Sequence, residues 1–188
     1  MDTKQLRKNY MQSVPKLNKA LKHVQDQLSD LPPSEFELET NVKPYASVKR
    51  KMELDHVKNP LELSDLVRGR LFFSDQFQHK DAMNIIQKLF GHQIKSVDKN
   101  TVRSKEHRLE YHGIIHVDLD IDGVRFELQI IPNEFKPYKE FLHNIYEKFR
   151  NPKSLAKLSD KQQDFLRDTH NKLYKKLNLQ ANTNRISS

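Results

Sequence analysis

The chain has 188 residues, 36% hydrophobic and 31% charged, which suits one globular domain with a real core. It has no cysteine, which excludes a disulfide framework and a thiolate metal site, and no apolar run near the roughly 20 residues of a membrane span. A net charge of +8 suggests an anionic partner such as nucleotide phosphates or RNA, with plain solubility as the ordinary alternative.

In chain order, residues 4–29 read as a basic amphipathic helix, with Leu6, Tyr10, Val14, Leu17, Leu21, Val24 and Leu28 on one face. Pro15 predicts a kink or break within it. "FELETNVKPY" reads as a strand, and Ser47 to His56 as a helix capped by Ser47. Asn59-Pro60 looks like a helix start. "DLVRGRLFF" is the next strand, with Leu66, Arg68, Arg70 and Phe72 on one side. Residues 79–90 form an amphipathic helix closed by Gly91. "HQIKSV" is a short strand, and "DKNTVRSKEHRLE" a polar loop.

"HVDLDIDGVRFELQI", residues 116–130, alternates with a period of two on both sides of Asp122-Gly123, a strong two-residue hairpin signal. That turn pairs Ile121 with Val124, Leu119 with Phe126, Asp118 with Glu127 and His116 with Gln129. One hairpin face is apolar. The other sets two carboxylates opposite each other, a destabilising arrangement that needs a cation, a proton or water. "NEFKPYKEFLHNIYEKFRN" is a helix with Phe141, Leu142, Ile145, Tyr146 and Phe149 inward, and Ser159 with Gln162 forms a capping box for a last helix ending near Leu177.

This order predicts an α+β fold: a mixed sheet of about five strands, helices packed on one face, and an open charged face as a ligand site. The chain divides into a basic helical segment over 1–33, a core over 34–150, a helix over 151–179 and a disordered tail over 180–188, all in one domain. The N-terminus lacks a signal-peptide pattern. The site of action is therefore expected in cytoplasm, the cell's own or that of a target cell reached without a cleaved signal.

Three stretches carry chemistry. In "KPYASVKRKM", Lys43, Ser47, Lys49, Arg50 and Lys51 crowd a helix start and could hold a triphosphate, or form an ordinary exposed basic helix. Lys43 and Lys51 are expected to be solvated, so that removing them leaves the fold intact. Asp65 stands at a strand edge with Arg68 and Arg70 further along, suited to a metal and the phosphates it bridges, or simply capping or paired with Arg70. Asp65, Asp118 and Glu127 together offer three oxygen ligands, which suits Mg²⁺.

In this order "VKPYASVKRKM", "DLVRGRLFF", "YHGIIH" and "FELQI" resemble the motifs of the RelA/SpoT synthetase domain, the nucleotide pyrophosphokinases that make (p)ppGpp. The resemblance covers about residues 35–150 and is to the small stand-alone kind. It implies a nucleotidyltransferase-like fold and transfer of the β,γ-pyrophosphate of ATP to a nucleotide 3′-hydroxyl with Mg²⁺. By that resemblance Asp65 and Glu127 are the metal-binding and catalytic carboxylates, and Lys43, Lys51 and Arg50 bind ATP phosphates; Ser47 at the helix start and Arg70 along the strand join them from the reading of their own stretches. Tyr111, His112, His116 and Gln129 fall at acceptor positions. Asn41 stands where many members carry an adenine-stacking Arg, and His112 where the motif has Arg.

The partners implied are ATP and a guanine or adenine nucleotide, with no membrane and with a homo-oligomer left open. Two alternatives remain: the same chemistry on an RNA 3′ end, as in a tRNA-modifying toxin, and a degenerate domain that only binds nucleotides or a partner.

Overall fold

The structure is a computed structural model that describes residues 3–55, 59–63, 65–74, 77–98, 102–104, 109–110 and 113–183. Helix α1 (Thr3–Leu28) leads to β1 (Phe36–Val42), α2 (Tyr45–Asp55), a 3₁₀ turn (Pro60–Glu62), β2 (Val67–Phe73), α3 (His79–Phe90) and β3 (Ile94–Asp98). A short pair, β4 (Val102–Ser104) and β5 (Leu109–Glu110), precedes the hairpin of β6 (Ile115–Ile121) and β7 (Val124–Pro132). The chain closes with a 3₁₀ turn (Asn133–Tyr138), α4 (Lys139–Arg150), α5 (Pro152–Leu155) and α6 (Asp160–Thr183). The main sheet has five strands in the order β1-β2-β7-β6-β3. It is mixed: β2 runs parallel to β7, and the other neighbours are antiparallel.

The hairpin forms in the expected register, Ile121 to Val124 through His116 to Gln129. Asp122 at φ 53° and Gly123 at φ 75° both adopt the left-handed conformation that a tight two-residue turn demands. The Asp120 carboxylate accepts a hydrogen bond from the Gly123 amide at 2.7 Å and braces the turn.

Alternation then sorts the sheet into two faces. Leu71, Phe73, Val117, Leu119, Phe126, Leu128 and Ile130 point into the main core, packed by α1, α2 and α3 through Leu17, Val24, Val48, Met52, Ile86 and Phe90. Gly69 faces this core, where an added Cβ would stand 3.2 Å from Phe126 and Leu128. The other face carries Asn41, Arg68, Glu127 and Asp118 in one row and Glu39, Arg70, Gln129 and His116 in the next. Beyond them Phe72 and Ile131 end the face in a second apolar cluster with Phe135, Leu142, Tyr174 and Leu177. So α4 and α6 cover only the far end of this face, and the charged rows stay open.

Several local expectations change. Helix α1 continues through Pro15 as one element; the turn that loses a hydrogen bond there includes Met11, which is 58% exposed, so water can satisfy the freed carbonyl. Helix α2 starts at Tyr45, and the Ser47 amide already bonds to the Pro44 carbonyl at 2.9 Å, so Ser47 lies in the first turn and does not cap it. Asn59 caps only a single 3₁₀ turn, accepting from the Leu61 amide. Gly91 closes α3 with right-handed angles, and what it avoids is a clash: a Cβ would come 2.6 Å from the Gln87 carbonyl oxygen.

Leu66 precedes β2 and joins the main core instead of sharing the side of Arg68 and Arg70. The segment after β7 begins as a 3₁₀ turn, because Pro137 cannot donate to an α-helical ladder, and Phe141 of α4 is 48% exposed. The Ser159–Gln162 capping box is present in both directions, at 2.9 and 3.4 Å, but α6 runs on to Thr183, into the stretch expected as tail. Among the described residues, no helix is long and apolar enough to cross a membrane.

Candidate active site

The antiparallel pairing of β1 with β2 extends one step past the strands, through the Lys43 amide to the Leu66 carbonyl at 2.8 Å. Lys43 is thereby set beside Asp65. The Tyr10 hydroxyl of α1 donates to the Lys43 carbonyl at 2.7 Å and steadies the junction. Nearly two turns into α2, Lys51 reaches the other oxygen of the same carboxylate. Asp65 bonds Lys43 at 2.6 Å and Lys51 at 2.8 Å, with all three side chains at 17% exposure or less.

Burial raises the Asp65 carboxyl pKa, but hydrogen bonds and charge from both lysines outweigh it and hold the carboxyl below its ordinary value. Lys43 shifts down, because burial costs its ammonium more than the shared carboxylate returns. The two shifts are consistent: one carboxylate draws on two cations, while burial costs Lys43 more than its share of that carboxylate returns. The lysines expected to be solvated are instead the buried half of an ion cluster.

Across the floor, the parallel pairing of β2 with β7 brings Arg68 beside Glu127 and Arg70 beside Gln129. Glu127 is 12% exposed, and its Oε1 accepts from the Gln129 amide at 2.6 Å and lies 3.8 Å from His116 Nδ1. Both ring nitrogens of His116 are buried with no hydrogen-bond partner among the described residues. Arg70 is held by Glu39 at 3.6 Å and by Gln129 at 3.4 Å. Arg68 donates through Nε to Asn41 at 3.1 Å, and burial first, then neighbouring Arg70, lowers its pKa.

These groups line one cleft of about 540 Å³, bounded by the sheet, α2 and α4. Lys43, Ser47, Arg50, Lys51, Asp65, Arg70, His116, Glu127 and Gln129 all face it, drawn from segments up to 86 residues apart (129 − 43). Tyr111 and His112 lie outside the described residues.

Asp118 stands apart from these groups. It does oppose Glu127 in register, but it is not in the cleft lining. Its Oδ2 accepts from Ser96 at 3.0 Å and from Arg125 at 3.4 Å. The repulsion between the two carboxylates is thus met separately, by Arg125 on one and by Arg68 with Gln129 on the other. Among the described residues, no three His, Asp or Glu side chains gather as a metal-ligand group. Asp65 and Glu127 still share the cleft, and two carboxylates plus substrate phosphates are the usual protein share of a Mg²⁺ site.

Sequence reasoning passed over the α4 wall. Tyr146, Glu147 and Arg150 line the cleft, and Glu147 bonds Arg50 across its mouth at 2.9 Å. Arg68, which the sequence places beside Arg70, lines the cleft as well. The signal that both share a side was in the alternation, but which one is already paired depends on β1 and β7.

No protein-family profile matches the sequence, and no curated protein matches it. Solved structures do match over nearly the whole chain. The small alarmone synthetase 1 of Bacillus subtilis is 18% identical, covers 98% of this chain and 97% of its own, and superposes with a TM-score of 0.55. The same enzyme bound to its product pppGpp is 17% identical over the same shares, with a TM-score of 0.60. The type VI effector Tas1, in complex with its immunity protein, is 13% identical, covers 94% of this chain and 98% of its own, and has a TM-score of 0.61. At these identities the likeness is one of fold: the chain has the α+β fold of small alarmone synthetases and Tas1.

Proposed function

We propose that this chain is a nucleotide pyrophosphokinase that moves the β,γ-pyrophosphate of ATP onto the 3′-hydroxyl of a nucleotide, in (p)ppGpp-type alarmone synthesis. The observation that carries the reading is the shared cleft, with Asp65 and Glu127 facing Lys43, Lys51 and Arg50. It is supported by the fold neighbours, among them an alarmone synthetase bound to pppGpp and the same enzyme bound to AMPCPP.

In this reading Lys43, Lys51 and Arg50 exchange their internal carboxylates for the triphosphate of ATP. The acceptor 3′-oxygen lies next to Glu127, which takes its proton as that oxygen attacks the β-phosphorus. The new O–Pβ bond forms, the bond between Pβ and the α-β bridging oxygen breaks, and AMP leaves with that oxygen. Gln129 holds Glu127 in place through its amide, and the buried His116 ring lies 3.8 Å from the same carboxylate. A Mg²⁺ held by Asp65, Glu127 and the phosphates would neutralise charge on the transferring group.

The test is incubation with γ-labelled ATP, Mg²⁺ and GDP, GTP, an adenine nucleotide or tRNA in separate reactions, followed by product separation. Label on the 3′ position of a mononucleotide is the expected result. Label on tRNA alone would replace the acceptor in this reading by an RNA end. Binding of ATP without any transfer would leave a nucleotide-binding domain and remove the enzyme.

A further inference from the structure

Two arginines occupy the open face of β2, and they are not equivalent. Arg70 has two partners, Glu39 at 3.6 Å through one amino group and Gln129 at 3.4 Å through Nε. Arg68 is half-buried and anchored by one bond only, Nε to the Asn41 side chain at 3.1 Å. Its two amino groups take no hydrogen bond among the described residues. It faces the cleft in register with Glu127 and stands close enough to Asp65 and Glu147 to feel their charge.

A planar guanidinium pinned at Nε presents its two amino groups as a fixed fork, the geometry that matches two phosphate oxygens. Asn41 supplies the pin from the neighbouring strand, so the fork costs little further ordering on binding. Arg68 lines the cleft in register with Glu127 and close enough to Asp65 and Lys43 for their charges to interact.

We infer that Arg68 is a phosphate-binding residue of the donor polyphosphate, with Asn41 as its positioning residue. The inference rests on the phosphate-transfer reading of the cleft but is read out by binding, without turnover.

The probe is inorganic triphosphate, titrated calorimetrically into the full chain at fixed ionic strength. Arg68→Gln should weaken its binding by about ten- to hundredfold, the range of charge-assisted hydrogen bonds. Asn41→Ala should weaken it less, and Arg68→Lys, which keeps charge but not the fork, should fall between wild type and Arg68→Gln. A structural arginine would leave triphosphate affinity alone and move only the melting temperature. Should Arg68→Gln fail to fold, phenylglyoxal modification of the wild-type chain gives the same reading, with triphosphate expected to protect Arg68.

Wild-type affinity in Arg68→Gln, or no protection of Arg68, overturns the inference. So does a wild-type chain that does not bind triphosphate. A chain that binds triphosphate through Arg68 yet transfers nothing to any acceptor refutes the proposed reaction and leaves this inference standing.

Discussion

At the scale of single residues, the cleft is defined by which charges are already spent. Asp65 has two lysines, Arg70 has Glu39 and Gln129, and Glu127 has Gln129 with Arg68 alongside. Glu127→Gln is expected to cut pyrophosphate transfer by at least about 10²–10⁴-fold, the usual worth of a general base. It should also cost a little stability, on the order of 1 kcal/mol, because Arg68 loses its adjacent counter-charge. Initial rates and thermal melts on the same preparation check both; activity within tenfold of wild type excludes Glu127 as the base.

Asp65 gives a pH prediction. Its folded pKa lies below the unfolded value of about 3.9, so its stabilisation is fully present above that pH and is lost as pH falls through the folded pKa. Denaturant melts from pH 6 down to 2 should show the wild type losing stability more steeply below about pH 4 than Asp65→Asn does. Parallel curves would mean that the lysine pairing contributes nothing net.

At the scale of elements, the ion cluster links β1, α2 and the approach to β2. Lys43→Ala removes one of two cations from a buried carboxylate. The cost should stay below the roughly 3–5 kcal/mol of stranding a sole buried partner, because Lys51 remains. Equilibrium unfolding measures it; an unchanged midpoint would mean that Lys43 is solvated after all. The hairpin turn makes a separate demand. Gly123 sits at φ 75°, so Gly123→Ala should cost about 1 kcal/mol through backbone strain, read by the same method. The turn lies away from the cleft, so triphosphate affinity should not move with it.

At the scale of the whole molecule, the two sheet faces have different work. Helices α1, α2 and α3 pack the main core, while Phe135 of the second cluster sits under α4 and α6 at the end of the charged face. Phe135 is 2% exposed and lines the cleft, so Phe135→Ala should cost about 3–5 kcal/mol. Binding of triphosphate should weaken as well, because α4 carries the wall that bears Glu147 and Arg150. Loss of stability with full affinity would show that the α4 wall does not shape the phosphate site. The position of α1 also bears on acceptors. Its buried face packs on the core side of the sheet, so its basic residues do not extend the cleft, which weakens the case for it as an RNA platform there.

The amino-acid sequence by itself determined what depends on near neighbours. Period-two alternation and Asp122-Gly123 decide the β6–β7 register, because a one-residue slip would turn every apolar side chain to the wrong face. The same alternation puts Arg68 and Arg70 on one side, and Ser159 with Gln162 decides where α6 begins. Only the tertiary structure decided which charges meet. The parallel β2–β7 pairing joins residues 59 apart in sequence, Arg68 to Glu127 and Arg70 to Gln129, and no local pattern encodes such a partner. The β1–β2 pairing draws Lys43 to Asp65 and turns an expected solvated lysine into a buried one. Asp118 shares a face and a row with Glu127, yet it pairs with Arg125 and Ser96 outside the cleft, because the cleft is centred on β2 and β7, between α2 and α4. Face is a property of the strand and follows from sequence; position within the face depends on the order of strands, which long-range packing sets.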